Sequence, residues 1–199
     1  MAEGFWTYKL LIDPLTRGLR EEISKLIEPG SSVLDIACGP GSLLTELSPG
    51  IKSGIGIDLN ESKIQLANRL ARQKGLSNIS FIKADATSLN GMFEKKFDFT
   101  ILSLALHQFP ESLRYKILAE AKKVSKNLIF ADYTVPVPSN FSGFLAKMIE
   151  RIAGEEHYTA YKSYIRLNGL TGILERNAYT VESSSTQGYE VFTIKKISC

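Results

Sequence analysis

The chain has 199 residues, 44% of them hydrophobic and 23% charged, a length and composition that suit one globular domain with a substantial core. Its 24 basic and 21 acidic residues leave a formal charge of +3 without a basic arm, so the charge pattern gives no reason to expect a nucleic-acid partner. With only two cysteines, a disulfide framework is not expected, and a reducing, cytoplasmic setting is favoured. The sequence shows neither a signal peptide nor an apolar run of the ~18 residues that a membrane span needs.

The first predicted element is an N-terminal helix. Asp13-Pro14 is a typical helix start, and Pro29-Gly30 is a typical stop. Apolar residues recur between them at helical spacing, at positions 15, 19, 23, 26 and 27. The spacing predicts a helix over residues 13–27, preceded by an aromatic segment with Phe5, Trp6 and Tyr8.

Short apolar runs then alternate with amphipathic segments. The runs predict strands over residues 32–37, 53–58, 79–84, 97–104 and 127–133. The amphipathic segments predict helices over residues 41–47, 61–74 and 111–124, the second with Asn60 as N-cap and Gly75 just past its end. Strands that alternate with helices are typical of crossover units in a parallel sheet.

The pattern changes after residue 133, where a proline-containing loop leads to a predicted helix over residues 141–153. Its apolar stripe favours packing on the core, with a substrate lid as the alternative: Phe144, Leu145, Met148, Ile149 and Ile152. A helix over about residues 164–176 follows. Residues 179–185 and 190–195, joined through Gln187-Gly188, predict an antiparallel terminal hairpin.

The most informative segment is the run from Val33 to Gly41, a strand that ends in an acid and turns through glycines into a helix. Glycines allow a ligand to approach the backbone closely at the start of a helix. The loop lacks the G-x-G-x-x-G spacing of dinucleotide sites. Asp35 would repel a pyrophosphate and attract an ammonium or a sulfonium, so it favours a cationic cofactor.

Two further acids complete this pattern. Asp58 ends the second predicted strand about 20 residues beyond the glycine loop, where an acid accepts hydrogen bonds from ribose hydroxyls. Asp85 ends the third, where a carboxylate can accept a bond from an adenine amine. Any one of these acids alone also fits a structural helix cap, so the weight lies in the ordered set.

The run from residue 32 to about 133 resembles the Rossmann-like S-adenosylmethionine-dependent methyltransferases, especially the small-molecule group with the ubiquinone and menaquinone biosynthesis enzymes. The resemblance implies an α/β three-layer sandwich with a mostly parallel seven-stranded sheet in the order 3-2-1-4-5-7-6. One domain over residues 1–199 is expected, with a core of 30–133 and 178–197 and substrate-cap elements at 1–28 and 134–176. The resemblance further implies S-adenosylmethionine-binding residues at Asp35, Ala37, Gly39, Gly41, Asp58, Leu59, Asp85, Ala86, Ser103 and Leu104.

The methyl acceptor is expected to be a small molecule, with no metal involved. His107 follows the fourth predicted strand and is the candidate catalytic base, with a structural role as the alternative. His157 has tyrosines at positions 158, 161 and 164 nearby, for which surface exposure is favoured over stacking on an aromatic acceptor. The sequence assigns neither the acceptor nor the oligomeric state.

Three other functions remain as alternatives. The same fold acting on RNA or protein would need a basic stripe beside the cofactor. A non-catalytic S-adenosylmethionine-binding module would need a blocked acceptor cavity. A nicotinamide oxidoreductase is disfavoured, because the glycine spacing is absent and the Tyr158-to-Lys162 spacing falls in the wrong part of the fold.

Overall fold

The computed structural model of the chain describes residues 13–139, 141–152, 154–177, 182–186 and 189–194. Its strands are β1 Ser32–Ile36, β2 Ser53–Asp58, β3 Ile79–Lys83, β4 Phe97–Ser103, β5 Ser125–Tyr133, β6 Glu182–Thr186 and β7 Tyr189–Ile194. Its helices are α1 Asp13–Lys25, α2 Ser42–Leu47, α3 Glu61–Gln73, α4 Glu111–Val124, α5 Phe141–Ile152, α6 Glu155–Arg166 and α7 Gly169–Arg176. The aromatic segment with Phe5, Trp6 and Tyr8 lies outside the described residues, as do Gln187 and Gly188.

The seven strands form one sheet in the order β3-β2-β1-β4-β5-β7-β6. The first five run parallel, and β7 pairs antiparallel with both β5 and β6. This confirms the predicted strand order and the closing hairpin. Within the described residues the strand bounds differ from the predicted ones by at most two residues, and residues 179–181 and 195 of the predicted strands lie outside the described residues.

The core lies on the two faces of the sheet because successive side chains of a strand point in opposite directions. Val33 of β1 packs in the cluster that contains Ile23 of α1. Leu34, its neighbour in sequence, packs in the cluster that contains Ile117 of α4 and Tyr164 of α6. Both faces of β1, β4 and β5 are therefore covered over most of their length, which explains why they appear in the sequence as nearly continuous apolar runs, whereas the edge strand β3 buries one face only.

The structure corrects the predicted helix over residues 164–176. Two helices, α6 and α7, occupy this region, and Asn168 (φ 65°) and Gly169 (φ 63°) separate them in left-handed conformation. Asn and Gly adopt this conformation at lower cost than other residues, so the helix ends there. The expectation of surface tyrosines is also wrong for Tyr161 and Tyr164, which are both buried on the inner side of α6.

Helix α5 does not bury its predicted stripe. Phe144 is 61% exposed, Met148 43% and Ile152 74%, so the expectation of core packing is wrong for these three. The side chains of Leu145 and Ile149 lie outside the described part of the chain. Glu150 of this helix is buried, and its carboxylate lies 3.3 Å from the ring Nε2 of His107. Among the described residues, no helix is long and apolar enough to cross a membrane.

Candidate functional site

A cavity of about 790 Å³ opens at the carboxyl ends of the parallel strands. It lies where β1 has β2 on one side and β4 on the other, the point at which open α/β sheets bind ligands. Its volume is within the range of small-molecule sites. We call the part lined by the loops after β1, β2 and β3 the loop side, and the part lined by His107, Phe109, Leu113, Tyr133 and Glu150 the His107 side.

The loop after β1 has three residues with positive φ: Ala37 at 58°, Gly39 at 55° and Gly41 at 78°. A Cβ on Gly39 would meet nothing within 4 Å, so the cavity reaches the backbone here. A Cβ on Gly41 would lie 2.5 Å from the ring of Phe81, so Gly41 is needed for packing against β3. Ala37 in this conformation stores about 1–2 kcal/mol of strain, a feature that clusters at ligand-binding turns.

Asp35 occupies the cavity wall below this loop and is 3% exposed. Burial raises its pKa to about 8, and the charge of Asp58 adds to the effect. Within the described part of the chain, no hydrogen bond reaches the Asp35 carboxylate. A cation in the cavity would stabilise the charged form, since it would supply the partner that the protein itself does not.

Asp58 at the end of β2 is held in place by two backbone donors. The N–H of Gly39 donates to one oxygen (3.0 Å), and the N–H of Asn60 donates to the other (2.8 Å). Each oxygen retains acceptor capacity for a further donor. The bond from Gly39 also ties the first loop to the second, so Asp58 fixes the shape of the loop side.

The rest of the loop side is more exposed. Asp85 accepts a hydrogen bond from the Thr87 N–H (2.8 Å), which lowers the pKa of the carboxyl, so it is charged at neutral pH. Leu59 is 62% exposed and presents an apolar surface at the rim. Leu104 has a φ of 51° after β4, as Ala37 does after β1, so two adjacent strands end in strained turns at the cavity.

On the His107 side, His107 is 1% exposed, and Asp132 contacts both its backbone and its ring. The backbone N–H of His107 donates to Asp132 Oδ2 (3.1 Å), and its ring Nδ1 lies 2.5 Å from Asp132 Oδ1. Tyr133 N–H also donates to Oδ1 (2.9 Å). Asp132 thus has three N–H partners and fixes the orientation of the imidazole through Nδ1. The other ring nitrogen, Nε2, makes no bond to Asp132.

Nε2 of His107 lies 3.3 Å from Glu150 Oε1 without meeting hydrogen-bond geometry, so it is a buried polar atom that lacks a bonded partner. Burial opposes the charged imidazolium, but Asp132 and Glu150 outweigh burial and raise the pKa of His107 to about 9. Glu150 is itself 4% exposed. This side of the cavity therefore combines a protonated imidazole with two carboxylates.

Arg114 holds the turn that carries His107 against α6. Its guanidinium is fully buried and donates to Leu106 O (2.8 Å), Ser163 Oγ (3.1 Å) and Ala160 O (2.7 Å). The ring of Tyr133 packs 4.7 Å from the imidazole, measured between centroids. The position of His107 is thus set by contacts from α4, α6 and β5.

The structure places nine of the ten residues predicted to bind the cofactor on this cavity, with His107; Gly41 lies behind the loop because it packs on Phe81. His157 is not among the lining residues. Sequence reasoning missed Thr16 and Arg20 of α1 and Glu150 of α5, which all line the cavity. The signal that could have found Glu150 is that it is the single acidic residue of α5, beside the apolar stripe. The described residues hold no group of three or more metal-type ligands, and metal independence stays a prediction.

Comparison with known proteins adds a family match. A protein family described as a methyltransferase domain matches residues 27–169 of this chain. The chain is 35% identical over 96 residues to the 2-heptyl-1-hydroxyquinolin-4(1H)-one methyltransferase of Mycobacteroides abscessus, covering 47% of this chain and 42% of that protein. It is 26% identical over 147 residues to the demethylmenaquinone methyltransferase of Shouchella clausii, covering 69% and 61%. The chain spans about half the length of these curated relatives.

A solved structure shares the fold. Magnesium protoporphyrin IX methyltransferase from Synechocystis PCC 6803, with bound S-adenosylhomocysteine, aligns with a TM-score of 0.62 at 19% identity. The alignment covers 92% of this chain and 82% of that one. At this identity the likeness describes the architecture, which agrees with the sheet order above.

Proposed function

The chain belongs to the methyltransferase-domain family, and from that premise we propose that it transfers a methyl group from S-adenosylmethionine to a small-molecule acceptor. The observation that carries the proposal is the buried Asp35, which has no hydrogen-bonding partner in the described chain and lines the same cavity as His107. One cavity therefore offers a site for a cationic cofactor and a separate polar site for a second molecule.

The residues of the loop side fit this cofactor. S-adenosylmethionine carries an ammonium and a sulfonium, and Asp35 supplies the anion that a buried cation needs. Asp58 has free acceptor capacity for the ribose hydroxyls. We assign Asp85 and Ala86, which line the same cavity, to the adenine, with Leu59 offering an apolar surface to its ring. Ala37, Gly39, Ser103 and Leu104 complete this part of the lining.

The bound cofactor supplies an electrophilic methyl group on a sulfonium that is its own leaving group. What the protein must add is position and exclusion of water. The His107 side does this with a buried imidazole and with apolar walls from Phe109, Leu113 and Tyr133. We propose that His107 contacts the acceptor there.

The nature of the relatives supports a small acceptor. One is named for a hydroxyquinolinone and another for demethylmenaquinone, both small organic molecules. The apolar walls of the His107 side suit a flat, largely apolar ring. A molecule of this kind is therefore the first acceptor to test.

The experiment has two steps. Calorimetric titration with S-adenosylhomocysteine, with NAD⁺ as the control ligand, tests the loop side; saturation at 100 times Kd should also stabilise the fold by about 2.7 kcal/mol. Incubation with methyl-labelled S-adenosylmethionine and 2-heptyl-1-hydroxyquinolin-4(1H)-one then tests transfer. Equal binding of both ligands would contradict the cofactor assignment. Selective binding with transfer to no member of a panel of hydroxylated ring compounds would favour a non-catalytic module.

A further inference from the structure

We propose that Glu150, which lies next to His107, is an acid–base residue of this cavity and takes the proton that the acceptor loses on methylation. The inference rests on the proposed function and makes it narrower. The acceptor atom must carry a dissociable proton on oxygen or nitrogen, and the site is complete only when α5 lies against the core. Tertiary amines and thioethers, whose attacking atoms carry no proton, are excluded as acceptors.

Two carboxylates lie beside His107, and they differ in how completely they are already bonded. Asp132 already accepts from two backbone N–H groups and the imidazole Nδ1. Glu150 is bonded far less completely: the Tyr133 hydroxyl lies 3.5 Å from its Oε1, at the limit of a hydrogen bond. Glu150 lines the cavity, whereas Asp132 does not. Of the two, only Glu150 can accept a proton from a molecule in the cavity.

Glu150 and His107 lie close together without a directed hydrogen bond. A side chain kept only to anchor α5 would be expected to form a directed bond, because a buried polar atom without one is costly. Here Oε1 and Nε2 are 3.3 Å apart, and Nε2 still lacks a hydrogen-bonded partner among the described residues. Glu150 lines the cavity, so an acceptor group that enters there can bond to its carboxylate, whereas the Nε2 atom itself is buried beside it.

Charged and aromatic side chains surround the imidazole of His107 from three elements of the fold. Asp132 and Tyr133 face the imidazole from β5, Glu150 from α5, and Tyr161 and Tyr164 from α6. Arg114 of α4 lies over the Tyr164 ring and interacts electrostatically with Asp132. With His107 protonated, two cations balance two carboxylates. If Glu150 takes a proton, the remaining carboxylate, Asp132, is still bonded by its three N–H donors.

The proposed step balances as follows. The O–H or N–H bond of the acceptor breaks, and its proton moves to the Glu150 carboxylate. The lone pair of that acceptor atom forms the new bond to the methyl carbon, and the electron pair of the broken C–S bond remains on sulfur. The proton passes to solvent when the methylated product leaves and opens the cavity.

The test compares Glu150→Gln with Glu156→Gln, a matched control that removes an exposed carboxylate from α6. Turnover of 2-heptyl-1-hydroxyquinolin-4(1H)-one is measured from pH 6 to 10. We expect Glu150→Gln to lower kcat at pH 7 by about 100-fold or more. The deficit should shrink to less than about threefold once the pH ionises the probe's hydroxyl. Affinity for S-adenosylhomocysteine should stay within about twofold in both variants.

A deficit that is equal at every pH would assign Glu150 a structural role and overturn the proposal, as would a loss of less than about threefold at pH 7. A second measurement needs no acceptor. The chain has two histidines, so labelled His107 can be resolved by NMR and assigned with His157→Gln. Glu150→Gln should lower the His107 pKa by about one unit or more; an unchanged titration would overturn the proposal even if the wild type methylates no probe. Failure of the proposed function, by contrast, would appear as absent cofactor binding in the wild type.

Discussion

Replacing Asp35 with Asn should stabilise the cofactor-free protein and weaken its cofactor site at the same time. The side chain keeps its shape and loses its charge. Burial raises the pKa of Asp35 from 3.8 to about 8, so the folded state holds a proton that the unfolded state releases. Stability therefore falls as pH rises from about 4 to 8. At pH 7 the penalty that Asn removes is on the order of 4 kcal/mol.

The opposite effect is expected on binding. A charge-assisted hydrogen bond contributes about 1.5–3 kcal/mol, so Asp35→Asn should weaken S-adenosylmethionine binding roughly 10- to 100-fold. A residue that lowers the stability of the free protein and strengthens binding of its ligand is typical of a functional site.

The assay is urea unfolding of both proteins from pH 4 to 8, followed by calorimetry with S-adenosylmethionine. Glu175→Gln, which alters an exposed carboxylate on α7, serves as the control and should match the wild type in both measurements. The reasoning would be refuted if Asp35→Asn kept the wild-type slope of stability against pH. Unchanged affinity for the cofactor would refute the placement of its cation beside Asp35.

Three further predictions follow from the geometry of the site. Gly41→Ala should destabilise the fold by about 1–3 kcal/mol in urea titrations, because its Cβ would lie 2.5 Å from the Phe81 ring and its φ is 78°. Because its pKa is raised from 6.5 to about 9, His107 stabilises the folded state by about 3 kcal/mol below pH 6.5, and this contribution is lost as pH rises to about 9. Asp132→Asn should flatten the slope of stability against pH in melts across this range. Arg114→Met should cost about 3 kcal/mol, because two buried backbone carbonyls lose their donor, and hydrogen exchange in α6 should quicken.

Most of the architecture could be predicted from local sequence. Asn60 caps α3 by accepting from the Lys63 N–H, as its position before an amphipathic run indicates. The strands β1, β4 and β5 appear as apolar runs because both of their faces are covered. The three acids at strand ends share one edge because parallel strands carry their carboxyl ends on the same side. These features depend on spacings of a few residues, which a sequence displays directly.

The break before α7 could also have been predicted. Asn168-Gly169 is a typical helix end, and the apolar spacing on both sides hid it. Gly41 shows a different limit, because its glycine signal was correct but its cause was not. The space that it leaves is taken by Phe81, a contact between β3 and the loop after β1 that no local pattern reports.

Sequence alone determined the sheet, the glycine loop and the acids that point to a cationic cofactor, because each arises from periodicity or from the end of a strand. The tertiary structure decided what surrounds His107. Asp132 lies 25 positions away and Glu150 comes from a separate helix, so only packing brings them to one imidazole. Packing also buried Glu150 of α5 and left Phe144, Met148 and Ile152 exposed, because a helical pattern gives the faces of a helix but not which of them is covered.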